Sequence, residues 1–253
     1  MQDVNGLSVV ITGGGSGLGR GAAIHLAGKG AKVTIGGRRR DKIEAVRAEI
    51  GASCRALVCD VTKHEDRQGL IDAAVEHGGG IDALINNAGN MVRGPITDLN
   101  ARDVLGVFDS NVVAPMMLTG LAVPHLAKRG GAVVFIGSVH TRRSFPGASP
   151  YAATKGAVEV LARVLAAELG PRKIRVNCVI PGAVPTEINV RAGLFTEDEH
   201  RARMEALAPL HALGRIGTDV EIAEAIEYLI TAEWTTGASL VVDGGLSLGI
   251  SNL

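Results

Sequence analysis

Aromatic side chains are scarce in this chain: one Trp, two Tyr and four Phe make up 3% of its 253 residues. A surface that stacks nucleobases on flat rings is therefore disfavoured. Charge of one sign is also missing, with 26 Lys+Arg against 26 Asp+Glu, so no whole-molecule field draws the chain to nucleic acid or to an anionic membrane. The three cysteines, Cys54, Cys59 and Cys178, are odd in number, lack CxxC spacing and fall in apolar segments. They read as buried free thiols in a reducing, cytoplasmic compartment. Seven histidines show no HExxH or similar ligand spacing, so no metal is expected. The opening MQDVNG carries an acid and no basic stretch ahead of an apolar one, unlike a signal peptide. The longest uncharged apolar stretch, residues 112–124, is interrupted by Pro115 and Gly120 and ends at Pro124, short of the roughly 20 residues a spanning helix needs.

What remains is an ordinary globular composition, 46% hydrophobic and 21% charged, at a length that suits one large α/β domain over residues 1–253. Short β-branched runs at 7–11, 32–35, 54–59, 81–85, 132–136, 174–179 and 239–242 alternate with longer helical patterns. Runs such as AVVFIG are apolar at nearly every position, as in strands covered on both faces. The expectation is a doubly wound, Rossmann-like sheet of about seven parallel strands with helices on both faces. Residues 183–217, charged and helical in places, read as an insertion above the sheet edge. Ligands of such sheets bind beyond the carboxyl ends of the strands. There the chain places TGGGSGLG, GGRRR, DV, NNAG, GSVH and PGAVPT after its first six strands.

The loop Thr12, Gly13, Gly15, Ser16, Gly17, Leu18 and Gly19 leaves a strand and enters a helix, so backbone amides and a helix N-terminus can approach a pyrophosphate. Its spacing is TGxxxGxG rather than GxGxxG, and a tight structural turn is the alternative. After the second strand, an NAD-selective site would carry an acid for the ribose 2′-OH. The chain has Gly37, Arg38, Arg39 and Arg40 instead, which favours the 2′-phosphate of NADP(H) over NAD(H). The other reading of Arg39 and Arg40 is the solvated start of the next helix. Asp60, ending the third strand, can accept from an adenine amino group or serve a turn with Thr62.

Ser149 and Pro150 suit an N-cap and first turn, and Gly170-Pro171 a stop, so YAATKGAVEVLARVLAAEL reads as one helix. Tyr151 and Lys155 then share a face. A free phenol titrates near 10, and a neighbouring ammonium favours the phenolate by about 1.36 kcal/mol per unit of depression. Ser138, after the fifth strand, reaches the same rim, where a hydroxyl can donate to a carbonyl oxygen. Asn111 lies in an apolar helix, a costly place for an amide without partners.

These motifs, in this order and with RVNCVIPG and VDGG after them, closely resemble the short-chain dehydrogenase/reductase family nearly end to end. The resemblance implies a catalytic tetrad of Asn111, Ser138, Tyr151 and Lys155. Tyr151 exchanges a proton with the substrate oxygen and Ser138 polarises it. Lys155 lowers the phenol pKa and holds the nicotinamide ribose, and Asn111 orders a water in a proton relay. It also implies cofactor contacts from Asp60 and Val61, from Asn87, Ala88 and Gly89, and from Pro181, Gly182, Val184 and Thr186, the last orienting the carboxamide. The implied chemistry is reversible hydride transfer between a nicotinamide and a carbonyl carbon.

The substrate is a small carbonyl or alcohol compound, contacted from residues 91–94, 140–145 and 183–217, with His140 the histidine nearest it. Arg129 and Arg172 fall where acyl-carrier-protein reductases of the family carry basic residues, which gives a 3-oxoacyl thioester reductase as the alternative; a free ketone, sugar or steroid stays equally open. A further alternative is a non-catalytic nucleotide sensor or scaffold, against which the intact Ser138, Tyr151 and Lys155 argue. Family likeness implies a homotetramer of two-fold symmetry, and the apolar end LSLGISNL suits a buried terminus.

Overall fold

Val9, Val10 and Ile11 point alternately to opposite faces of the first strand and are all fully buried, which only a sheet covered on both sides allows. The structure, a computed structural model, describes residues 1–249. Seven strands, β1 (Ser8–Thr12), β2 (Lys32–Gly37), β3 (Cys54–Val58), β4 (Ala83–Asn86), β5 (Ala132–Ile136), β6 (Arg175–Pro181) and β7 (Ser239–Val242), form one parallel sheet in the order β3-β2-β1-β4-β5-β6-β7. The doubly wound expectation holds, with strand limits moved by no more than two residues.

On one face α1 (Gly17–Gly28), α2 (Arg40–Ile50) and α9 (Asp219–Thr231) bury Leu26, Ile43 and Ile226 against Val9 and Ile11. On the other, α3 (His64–Gly78), α5 (Ala114–Leu126) and α6 (Ser149–Leu169) bury Ile71, Leu118 and Val158 with Val10 and Phe135. Each such side chain contributes roughly 1.5–3 kcal/mol of transfer free energy. Because β1 pairs with both β2 and β4, the chain winds outward in both directions from that point and leaves a crevice at their carboxyl ends.

Three local readings differ. First, α6 opens at Ser149, with Ala148 preceding it and Pro150 in the first turn, where a missing amide costs nothing. Second, α4 (Ala101–Phe108), a π-helical turn (Asp109–Val113) and α5 join into one 26-residue run, Ala101–Leu126, longer than the sequence stretch indicated. By length and composition this run could cross a membrane. Here it packs on α3 and α6 and brings Ser110 to the crevice, while Asn111 is buried behind the wall and lines neither cavity. Third, residues 183–217, read as an insertion above the sheet edge, extend across the strand ends. They carry α7 (Ile188–Arg191) and α8 (Glu197–Leu207) over the carboxyl ends of the strands, and several of their residues wall the cavity there. Of the apolar end LSLGISNL, Leu246 is buried, while residues 250–253 lie outside the described residues.

Candidate active site

Two contiguous cavities fill the crevice and share Gly13, Ser16, Ala88, Gly89 and Arg191. The first, of about 190 Å³, is walled by Ser138, Tyr151 and Lys155 together with Leu18, Asn87, Pro181, Gly182, Val184 and Thr186. The second, of about 800 Å³, is walled by Gly15, Arg38, Arg39, Asp60 and Val61. Ser138, Tyr151 and Lys155 thus stand at one end of a cleft and the arginines after β2 at the other, while Asn111, the fourth catalytic candidate, lines neither cavity.

Gly17 takes φ +52°, which an L side chain rarely adopts, and turns the loop into α1. At Gly19 a Cβ would stand 2.4 Å from both Asn87 Nδ2 and the Gly13 carbonyl oxygen, so only glycine lets α1 approach β4. Two of the loop's predicted contacts are structural. Gly19 is buried and walls neither cavity, and neither does Thr12. Thr12 Oγ1 accepts from the amides of Asn87 (3.0 Å) and Ala88 (2.9 Å), which ties β1 to the segment after β4. Asn87 lies on the cavity wall, but its Nδ2 donates to the carbonyls of Thr12 (2.9 Å) and Gly13 (3.2 Å).

The residues fit a dinucleotide. Ser16 precedes α1 without accepting any hydrogen bond on its side chain from the helix, and the first turn holds no acid. The unpaired amides there suit a pyrophosphate. Asn189 Oδ1 is buried in the wall of the catalytic cavity with no hydrogen-bond partner, an acceptor suited to a carboxamide N–H. At the other end, Asp60 Oδ1 accepts from the amide (3.1 Å) and hydroxyl (2.8 Å) of Thr62. Burial pushes this carboxyl up, but those bonds, with Arg38 and Lys63 nearby, bring it below its usual range. Arg39 stands immediately before α2 and Arg40 begins it, so the helix-start reading holds for their backbone.

Tyr151 and Lys155 are both buried on one face of α6, the amine 5.5 Å from the phenol ring centroid. Lys155 Nζ donates to the carbonyl of Ile136 at 2.8 Å. Here one expectation changes. The phenol is pushed up to about 12 by burial, with a hydrogen bond from Ser138 pulling the other way. The amine is brought down to about 8, again by burial. Loss of water is the largest influence on each group as they stand.

His140 stands edge-on to Tyr151 with ring centroids 5.1 Å apart and tilted on Phe145 at 4.5 Å. Its Nδ1 is 3.0 Å from Ser138 Oγ. Burial, then Arg93, Arg203 and Lys155, bring its imidazole down to about 4, so it is neutral at pH 7. Asn111 sits inside the π-helical turn and its amide is fully engaged. Oδ1 accepts from the Asn90 amide (2.7 Å) and Ser110 Oγ (3.0 Å), and Nδ2 donates to the Asn90 carbonyl (2.9 Å) and Thr154 Oγ1 (3.1 Å). Thr154 in turn donates to the Tyr151 carbonyl at 2.7 Å. Sequence reasoning passed over Thr154, although it lies inside YAATK, and nothing in the residue pattern marked the π turn. Such turns recur at functional sites because they re-aim a side chain within a helix.

The family profile described as enoyl-(acyl carrier protein) reductase matches residues 13–247. The chain is 34% identical over 251 residues to the glucose 1-dehydrogenase of Gluconobacter oxydans, covering 96% of this chain and 92% of that one. It also matches a cofactor-bound short-chain dehydrogenase/reductase from Caenorhabditis elegans with a TM-score of 0.93, 29% identity and coverage of 99% and 98%. This chain belongs to the short-chain dehydrogenase/reductase family. Another member, the 3-ketoacyl-(acyl-carrier-protein) reductase of Brucella melitensis complexed with NADH, matches with a TM-score of 0.86, 31% identity and coverage of 96% and 99%. As a short-chain dehydrogenase/reductase the chain is an oxidoreductase of a family that uses nicotinamide cofactors, and its cleft runs where such a cofactor lies in doubly wound sheets.

Proposed function

We propose that this chain is an NADP(H)-dependent enzyme that interconverts a ketone and a secondary alcohol, with Tyr151 as general acid and base. The observation that carries this is the convergence of Tyr151, Ser138 and Lys155 on one cavity wall, continuous with a cleft edged by Arg38 and Arg39. A bound nicotinamide supplies or accepts the hydride. Tyr151 gives its hydroxyl proton to the carbonyl oxygen as the alcohol forms and takes it back in the reverse direction. Ser138 steadies the same oxygen, and Lys155 adds positive charge beside it. A phenol held near 12 is protonated at neutral pH, ready for the acid role.

NADP(H) is preferred because Arg38 faces the cleft with no ion pair among the described residues, and the end of β2, Gly37-Arg38-Arg39-Arg40, carries no acid to meet a ribose 2′-OH. A guanidinium suits a 2′-phosphate. The 3-oxoacyl thioester reading draws support from the Brucella relative. Against it, Arg129 is committed to Asp82 (2.9 Å) and the Gly79 carbonyl (2.7 Å) at the amino end of β4, and so offers no free charge to a carrier protein. We further propose a homotetramer in the cytoplasm. The apolar side chains exposed on α5 and α6 support the assembly, and the buried free thiols of Cys54, Cys59 and Cys178 the compartment.

The deciding experiment is a carbonyl and alcohol panel run with both NADPH and NADH, on the wild type and on Tyr151→Phe. NADPH oxidation with some ketone is expected, with turnover in the variant down by about a thousandfold or more while NADPH still binds. An unchanged rate in the variant removes Tyr151 from the chemistry, and NADH preferred over NADPH reverses the cofactor assignment.

A further inference from the structure

Several arginines of this molecule meet carboxylates, as Arg20 does Glu49, Arg142 Glu159 and Arg215 Glu221. Two half-buried arginines on the wall of the catalytic cavity do not. Arg93, in the segment after β4, spends one N–H on the carbonyl of Pro146 at 3.2 Å. Arg203, on α8, lies over the ring of Phe195 at 5.3 Å. Among the described residues neither has an ion pair, and each keeps several guanidinium donors uncommitted.

Among the described residues Glu187 is the one carboxylate on the cavity wall, and it is taken by Arg39 at 2.6 Å, with Lys42 at 3.9 Å. Among the described residues the cavity wall therefore carries Lys155, Arg93, Arg191 and Arg203 with no free negative charge, and of the three arginines Arg191 spends a donor on the Gly89 carbonyl. The excess of positive charge acts on two neighbouring groups. Burial and then Arg203 lower Arg93 from its ordinary value, and Arg93 and Arg203 both help keep His140 neutral. Two guanidinium groups on one half-buried wall, with no carboxylate there to neutralise them, suit an oxyanion as their partner.

We propose that the substrate is an oxo or hydroxy compound carrying its own oxyanion, a carboxylate or a phosphate monoester, held between Arg93 and Arg203 while its carbonyl faces Tyr151 and Ser138. This rests on the ketone–alcohol reading above and narrows it. Arg93 comes from a fixed segment beside β4 and Arg203 from the helix roofing the cavity, so a bound oxyanion also draws the roof onto the substrate. Planar forks favour two-point recognition, which sets the distance from the oxyanion to the carbonyl and so the length of substrate accepted.

The test uses the full chain with NADPH and matched pairs: 2-, 3- and 4-oxo acids against their methyl esters, and dihydroxyacetone phosphate against dihydroxyacetone. One acid or the phosphate should exceed its neutral partner about ten- to hundredfold in kcat/KM, and that advantage should collapse in Arg93→Met and in Arg203→Met. Which of the two wins separates carboxylate from phosphate. Should a variant fail to fold, salt titration of the wild type replaces it: the advantage should shrink as salt rises to about 0.5 M. Neutral partners reduced as well as charged ones, an advantage surviving both substitutions, or one indifferent to salt each overturns the proposal. If no ketone is reduced at all, the ketone–alcohol reading has failed instead. The oxyanion site is then read by calorimetry of a hydroxy acid and its methyl ester on the NADP⁺-loaded protein, where equal affinities overturn it and preference for the acid supports it.

Discussion

Arg39 reaches across the cleft to Glu187, its guanidinium donating to the carboxylate at 2.6 Å and to Ser16 Oγ at 3.0 Å. The contact ties the segment leading into α7 to the phosphate loop, and it occupies one of the two arginines proposed for the 2′-phosphate. Phosphate and Glu187 therefore compete for Arg39. Both partners are more than a third exposed, so the pair is worth only about 0.2–1 kcal/mol. Glu187→Gln should tighten NADPH by roughly 1.4- to 5-fold and leave NADH nearly where it was. Fluorescence titration with both dinucleotides checks this. Weaker NADPH binding in the variant shows that Glu187 supports the site rather than competing for it.

His140 gives the molecule an acid-sensitive element. Its folded pKa, about 4, lies below the ordinary 6.5, so between those values the unfolded chain binds a proton that the native one refuses. Stability is then full above about pH 6.5 and is lost as pH falls toward 4, by about 2–3 kcal/mol. Urea midpoints at pH 7 and pH 4.5 should fall less in His140→Gln than in the wild type, since glutamine does not titrate. Equal losses in the two proteins place the acid sensitivity elsewhere.

The doubly wound sheet was legible because β1, β4, β5 and β6 are apolar on both faces and each ends at a glycine-rich or polar rim. Tyr151 and Lys155 were legible because four residues on a helix fix a shared face whatever the surroundings. The state of the pair was not. Charge spacing suggested a depressed phenol, whereas burial, a property of the whole fold, raised it. Thr12 and Gly19 sit in the phosphate-loop motif yet hold β4 and α1 in place, a distinction carried by tertiary contacts rather than residue type. Arg93 and Arg203, 110 positions apart, meet only because α8 folds back over the strand ends.

Asn111 is the joint between the π-helical turn, the segment after β4 and α6. Asn111→Ala strips partners from the Asn90 amide and carbonyl and from Thr154 at a buried place, which costs about 2–4 kcal/mol. Thr154→Val removes the link to α6 alone and should cost about 1 kcal/mol. Chemical denaturation measures both. If the alanine variant loses turnover with no loss of stability, Asn111 acts in the proton path and not as a joint.

The outward side of α5 is as apolar as its buried side. Leu118, Ala122 and Leu126 face the sheet, while Val113, Met116, Met117 and Gly120 follow at i, i+3, i+4 and i+7 and are exposed, with Val160 and Val164 on α6. A helix apolar all round is stable in water when a partner covers its second face. In a two-fold assembly each of these side chains meets the same face of another copy, so a substitution is counted twice. Val164→Glu would bring two carboxylates into the interface and forfeit roughly 1.5–3 kcal/mol of apolar burial on each side. Light scattering coupled to gel filtration should give a tetramer for the wild type and a smaller species for the variant, with unchanged circular dichroism. A monomeric wild type refutes the assembly outright, and a tetramer that survives the substitution moves its interface away from α6.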